Sequence, residues 1–243
     1  MSIKRLIRRA LRTLGYDIIP TSFNTIAGIP YAVLTSHASY APWLEKSDFR
    51  DAYQIMKNNT LVDVYRCFEL WQLAKQTAHL PGDIIEIGVW RGGTGTLLAK
   101  ASPNKTVYLC DTFSGVVKAS ENDTGYKGGE HSDTSIPIVT QLAQNMNAVN
   151  YKILQGIFPE DTAKEIEGKK FSFCHIDVDT YQSARDCFDW AWPKMPIGGV
   201  VVFDDYGFYN CDGVTRLGND LAQHNDNLML YNLNGHAVLV KTA

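Results

Sequence analysis

The sequence predicts an α/β fold built on an open, mostly parallel sheet, and three observations carry that reading. A short apolar run, Ile84-Ile85-Glu86-Ile87, stops at glycines and is followed by Thr96-Leu97-Leu98-Ala99-Lys100, the pattern of a buried strand, a tight turn and a helix start. A second β-rich run, residues 105–110, ends in Asp111. Two more, residues 171–176 and 200–203, end in acids: Asp177 with Asp179, and Asp204 with Asp205. Strands alternating with helices give a parallel sheet whose ligands bind beyond the carboxyl ends of the strands.

The 243 residues suffice for one large α/β domain and an N-terminal extension, divided here into residues 1–80, helical extension and lid, and residues 81–243. With 23 basic and 26 acidic residues the net charge is −3; no broad basic face is implied, which argues against nucleic acid as a partner. Cys67, Cys110, Cys174, Cys187 and Cys211 are scattered, with no C-x-x-C pair. They read as buried thiols of a reducing compartment, so a cytoplasmic location is expected. No apolar run approaches the ~20 residues needed to cross a bilayer.

Taken in order, residues 1–15 carry Lys4, Arg5, Arg8, Arg9 and Arg12 and no acid, with Ile3, Leu6, Ile7, Ala10, Leu11 and Leu14 at helical spacing. The basic residues interrupt any signal-peptide core. An amphipathic helix packed on its own protein or on another subunit is expected, a homo-oligomer included; weak contact with an anionic membrane surface is the other reading. Residues 16–43 hold turns at Pro20, Gly28-Ile29-Pro30 and Ala41-Pro42, and Tyr31, Tyr40 and Trp43 are either lid aromatics or core. Residues 48–57 and 63–78 read as helices. In the second, Val64, Cys67, Phe68, Trp71 and Ala74 form the buried face, which leaves Arg66 and Glu69 to solvent.

Beyond Asp111, residues 120–135 are polar and glycine-rich, a loop long enough to act as a lid, with His131 expected at its surface. A helix over 138–146 leads to a strand over 151–155 that ends in Gly156-Ile157-Phe158, where Phe158 either stacks on a base or joins the core. A short helix over 162–166 precedes the strand 171–176, and the helix after it carries Ala184, Cys187, Phe188, Trp190 and Ala191. Residues 228–231 and 237–240 read as a final β-hairpin.

The glycine turn, Glu86-x-Gly88-x-x-x-Gly92-Gly93, is neither the G-x-G-x-x-G of dinucleotide enzymes nor a P-loop. Its glycines permit positive φ and close approach of a ligand, and the helix start offers unpaired N–H groups. Glu86, two residues before the first glycine, suits a ligand bearing positive charge or hydroxyls, such as S-adenosylmethionine. Asp111 follows at about the spacing at which an acid accepts hydrogen bonds from a ribose. The four strand-end aspartates would converge on one edge, and like charges gather there only if a cation or a shared proton relieves them. An all-oxygen set suits Mg²⁺, and no EF-hand loop is present. One of the four is expected to be a helix cap.

The stretches 86–93, 111–115 (Asp-Thr-Phe-Ser-Gly), 156–159, 176–183 and 196–207 together resemble the macrocin O-methyltransferase family, Mg²⁺- and S-adenosylmethionine-dependent enzymes that methylate sugar hydroxyls of antibiotics. The resemblance implies a class I methyltransferase, Rossmann-like fold: a seven-stranded, mostly parallel sheet with its last strand antiparallel and helices on both faces. It implies a cofactor held by Glu86, Gly88, Val89, Trp90, Arg91, Gly92, Thr94, Asp111, Thr112, Phe113, Gly156, Ile157, Phe158 and Asp177, and metal ligands at Asp177, Asp204 and Asp205. Asp177, doubling as base, and Asp179, the next candidate base or substrate orienter, are the catalytic residues expected. The acceptor implied is a sugar or glycosylated small molecule. A catechol or other vicinal diol, or a cofactor-binding module without chemistry, are the alternatives; an NAD or flavin enzyme ranks low for want of its glycine motif. The chain departs from the family pattern in residues 120–135 and in its ending.

Overall fold

A computed structural model describes residues 3–16, 22–26, 29–32, 40–45, 47–230 and 232–243, with side chains from residues 6–16 and from residue 40 onward. Expectations placed on Pro20, Gly28, the Tyr31 side chain and Tyr231 lie outside the described residues. The chain forms two compact units, Met1–Tyr40 and Ala41–Ala243. The first holds helix α1 (Ile3–Thr13) and an antiparallel hairpin of β1 (Ser22–Ile26) and β2 (Ile29–Ala32).

The second unit runs α2 (Asp48–Met56), α3 (Val64–Gln76), β3 (Asp83–Ile87), α4 (Gly93–Ala101), β4 (Val107–Asp111), α5 (Ile136–Asn145), β5 (Tyr151–Gln155), β6 (Phe171–Ile176), α6 (Tyr181–Ala191), β7 (Val200–Phe203), α7 (Asp212–Leu221), β8 (Asn227–Leu230) and β9 (Ala237–Lys241). Its seven strands lie in the order β5-β4-β3-β6-β7-β9-β8. Strands β3 to β7 are parallel, and β9 runs antiparallel to both β7 and β8. The chain crosses over between β5 and β6, so β3 and β6 are neighbours and their carboxyl ends open a crevice.

Strand alternation sorts the core into two layers. Ile84, Leu109, Phe173, Val202 and Val238 pack with Phe49, Met56, Leu70, Leu97 and Val139 from α2 to α5. Ile85, Cys110, Cys174, Val201 and Leu239 pack with Cys187, Phe188, Val214 and Leu217 from α6 and α7 on the other face. The division expected at residue 80 is therefore corrected: α2 and α3 bury their apolar faces on the sheet, and the boundary falls near residue 40. Helix α7 escaped the sequence reading because Gly213 and Gly218 dilute its helical signal. Both glycines are packed close, against Tyr181 and Tyr206 respectively, where a side chain would not fit.

Candidate active site

The cleft begins with the turn between β3 and α4. Gly88 has φ +88°, and a Cβ there would overlap the carbonyl oxygen of Asp177. Only glycine lets the ends of β3 and β6 come this close. The Asp111 carboxylate sets the turn: Oδ2 accepts from the Val89 and Trp90 amides at 2.7 and 2.8 Å, and Oδ1 from Phe113 N at 2.7 Å. The spacing from turn to acid thus has a structural use as well as the ligand role expected of it.

A cavity of about 340 Å³ extends from this turn to the acidic strand ends, a size suited to a small molecule. Gly88, Val89, Trp90, Thr94, Asp111, Thr112, Gly156, Phe158 and Asp177 line it, as expected for a cofactor site. Phe158 is only 5% exposed and packs edge-on against Trp190 at 4.9 Å, so most of it belongs to the core.

Five residues expected at the cofactor are not among the lining side chains. Glu86 is fully buried, turned by the strand pleat toward α4, where Gly95 leaves it room and His175 Nδ1 meets its Oε1 at 2.8 Å. Arg91 is paired with Asp133 at 2.6 Å and lies over the Trp90 ring. Gly92 caps α4 against Val139. Phe113 packs on the core, and Ile157 N donates to Asp161 in a turn.

The loop over residues 120–135 is docked on this end of the molecule. Asp123, buried within it, accepts from Tyr181 N at the start of α6 at 2.8 Å, and Arg216 donates to Asn122 at 2.6 Å. Tyr126 and His131 reach the cavity wall, so the expectation of a surface His131 is corrected. Trp43 packs on Tyr65 and Phe68 and is not among the cavity's lining residues, and Tyr40 is exposed.

At the far end, carboxylate oxygens of Asp177, Asp179 and Asp205 lie within 4.8 Å of one another. Asp179 and Asp205 adopt φ of +63° and +62°, a conformation that non-glycine residues seldom hold outside constrained sites. Shielding from water and the neighbouring Asp204, Asp205 and Asp179 push Asp177 well above the carboxylate range. Asp179 is raised to about 7 by burial and Asp205, against a hydrogen bond donated by Tyr126. Asp205 is raised by burial and Asp204, with Arg66 opposing.

Asp204 differs. Burial would raise it, but His236 and Arg66 hold it down to about 2. Arg66 Nη1 donates to its Oδ2 at 2.6 Å and stands 3.4 Å from Asp205 Oδ1, while Arg66 Nε donates to Asp63 at 3.0 Å. The expectation that Arg66 and Glu69 face solvent is therefore wrong. The Asp63 cap, which accepts from Tyr65 N and Arg66 N, starts α3 so that Arg66 enters the cleft at 6% exposure. Glu69 bonds Asn232, Asn234 and His236. No sequence signal marks either residue, because their partners lie at the other end of the chain.

A model of the macrocin O-methyltransferase (TylF) family matches residues 48–229. The chain belongs to that family. Relatives within reach of this macrocin O-methyltransferase family member include the demethyldecarbamoylnovobiocin O-methyltransferase of Streptomyces niveus, 30% identical over 166 residues, 61% of this chain and 62% of that protein. Another is the 8-demethyl-8-(2,3-dimethoxy-alpha-L-rhamnosyl)-tetracenomycin-C 4'-O-methyltransferase of Streptomyces olivaceus, 27% identical over 146 residues, 54% of this chain and 56% of that protein. The match thus spans less than two thirds of either relative's length. The solved structure of the O-methyltransferase NovP superposes with a TM-score of 0.64 at 23% identity over 76% of this chain and 83% of its own. The seven-stranded class I methyltransferase sheet, with its antiparallel last strand, is the shared fold. No helix among the described residues is long and apolar enough to cross a membrane.

Proposed function

We propose that this family member transfers the methyl group of S-adenosylmethionine to a hydroxyl of a sugar or glycosylated small molecule, assisted by Mg²⁺. The observation that carries the proposal is one cleft holding both the glycine turn and the Asp177, Asp179, Asp205 cluster. The residues fit both groups. The cluster is all oxygen, crowded and mutually repelling, which a hard divalent cation relieves. The turn offers a close backbone approach beside Asp111. A sugar acceptor is supported by the rhamnosyl group in the name of the Streptomyces olivaceus relative.

When bound, S-adenosylmethionine supplies an electrophilic methyl on a sulfonium, and Mg²⁺ supplies positive charge that lowers the pKa of a hydroxyl. Asp177 and Asp205, with Asp204 at their edge, would hold the cation; Gly88, Val89, Trp90 and Asp111 would frame the cofactor. Asp179, beside the cation's carboxylates and within the same cluster, is placed to accept the acceptor's proton. Tyr126, hydrogen-bonded to Asp179, keeps that carboxyl aimed into the cleft. Arg66 holds Asp204 in place and offsets part of the cluster's charge. Residues 120–135, whose Tyr126 and His131 line the cavity, would shield a bound acceptor from water, which favours a reaction that annihilates opposite charges.

The test is methyl transfer from labelled cofactor to a panel of glycosides, with and without chelator. Transfer is expected, lost with chelator and in Asp205→Asn, and slowed at least 100-fold in Asp179→Asn while cofactor still binds. Transfer that persists under chelation would defeat the metal role, and failure to bind the cofactor at all would defeat the methyltransferase reading.

A further inference from the structure

Beneath the cleft, buried side chains keep polar atoms that no protein group satisfies. Glu86, His175 and His236 are fully buried and Asp204 is 4% exposed, yet Glu86 Oε2 and His175 Nε2 have no hydrogen-bond partner, and Asp204 Oδ1 and His236 Nε2 have only each other. One ligand atom from each of His175, Asp204 and His236 lies within 4.8 Å of the other two. His236 Nε2 pairs with Asp204 Oδ1 at 2.8 Å, a contact that a bound ion would replace. Buried polar atoms are rarely left unpaired, and a convergent set points to a missing ligand.

The topology explains why they meet. His175 lies on β6, Asp204 directly follows β7 and His236 directly precedes β9, three neighbours in the sheet. Alternation puts them on the layer of Phe173, Val202 and Val238, which faces α3 and α4. Each histidine is also held from behind. His175 Nδ1 is 2.8 Å from Glu86 Oε1, and His236 Nδ1 is 2.6 Å from Glu69 Oε2. A carboxylate behind Nδ1 is how metal-binding histidines are oriented, and at His236 the ion would take the place of the proton that Nε2 shares with Asp204.

We infer that His175 Nε2, His236 Nε2 and Asp204 Oδ1 form a buried site for a divalent ion of the Zn²⁺ class, separate from the carboxylate cluster. Two imidazoles and one carboxylate are borderline donors that prefer Zn²⁺, Co²⁺ or Ni²⁺ to Mg²⁺, with a water able to complete the shell. Asp204 then serves two sides, Oδ1 toward the buried ion and Oδ2 toward Arg66 and the cleft. The ion ties the C-terminal hairpin to the parallel part of the sheet and fixes Asp204 in place. This inference goes beyond the methyl-transfer reading and does not depend on it.

The experiment uses the whole 243-residue chain, stripped with chelator and titrated with Co²⁺ in excess Mg²⁺, so that the carboxylate cluster is filled. One equivalent is expected to bind with visible ligand-field bands, and Zn²⁺ to displace it. His175→Gln and His236→Gln should abolish that equivalent, whereas Asp179→Asn should retain it. Should the histidine variants fail to fold, X-ray absorption of the Zn²⁺-loaded natural protein decides: two imidazole nitrogens at about 2.0–2.1 Å are expected. An oxygen-only shell, binding that survives both histidine substitutions, or no Co²⁺ retained against Mg²⁺ would overturn the site, leaving water or a shared proton as its occupant. None of these readouts involves methyl transfer, so failure here and failure of the proposed activity are distinguishable.

Discussion

The two ends of the cleft are held by different means. At the glycine end, backbone does the positioning: Gly88 turns with positive φ against the Asp177 carbonyl, and Asp111 grips the amides of Val89 and Trp90. At the acidic end, side chains from distant elements do it. Arg66 reaches Asp204 across 138 positions, and Glu69 reaches His236 across 167. A site shaped by backbone is sensitive to an added atom, whereas a site shaped by charge is sensitive to a lost partner.

The largest test of this contrast is Arg66→Met. It leaves Asp204 and Asp205 without their guanidinium, and breaking a buried pair from one side costs about 3–5 kcal/mol. Urea unfolding in chelator should show that loss, and Mg²⁺ should restore part of it. Gly88→Ala comes next, because it strains φ, at about 1–3 kcal/mol, and also collides with Asp177. That loss should not respond to Mg²⁺; recovery with the ion would erase the distinction between the two ends. Asp63→Ala removes the α3 cap and should cost about 0.5–2 kcal/mol, with Arg66 less well aimed and Mg²⁺ binding altered in a titration.

The smallest effect is on pH dependence, and its sign differs between neighbours. Asp179, raised to about 7 by burial and Asp205, keeps its proton when folded at a pH where the unfolded chain has lost it. Without a divalent cation, its contribution therefore falls as pH rises from about 4 to 7. Asp204, buried but held to about 2 by His236 and Arg66, contributes stability that is lost as pH falls from about 4 toward 2. Denaturation curves across pH should show both slopes. Asp179→Asn should remove only the upper one, and an unchanged upper slope would reassign it to Asp177 or Asp205.

What was legible in the sequence follows the same division. The strand, turn and helix around Gly88 and the paired aspartates after β6 and β7 are local patterns, and each was found where the residues said. Arg66 and Glu69 were misjudged because helical periodicity describes one helix and cannot know that the sheet edge opposite is acidic. Glu86 was misplaced because its position before the glycine says nothing of which side of the pleat meets the cleft. His175 and His236 are single histidines in unremarkable strand contexts, and only the adjacency of β6, β7 and β9 brings them together.

By itself the sequence determined the alternation of elements, the glycine turn, the acidic strand ends and the family, since each rests on contacts between residues close in the chain or on the residue types themselves. The tertiary structure alone decided which charges are neutralised, which histidines converge and where the compact unit begins, because those depend on contacts closed over more than a hundred residues, and no local pattern records which distant partner a side chain will meet.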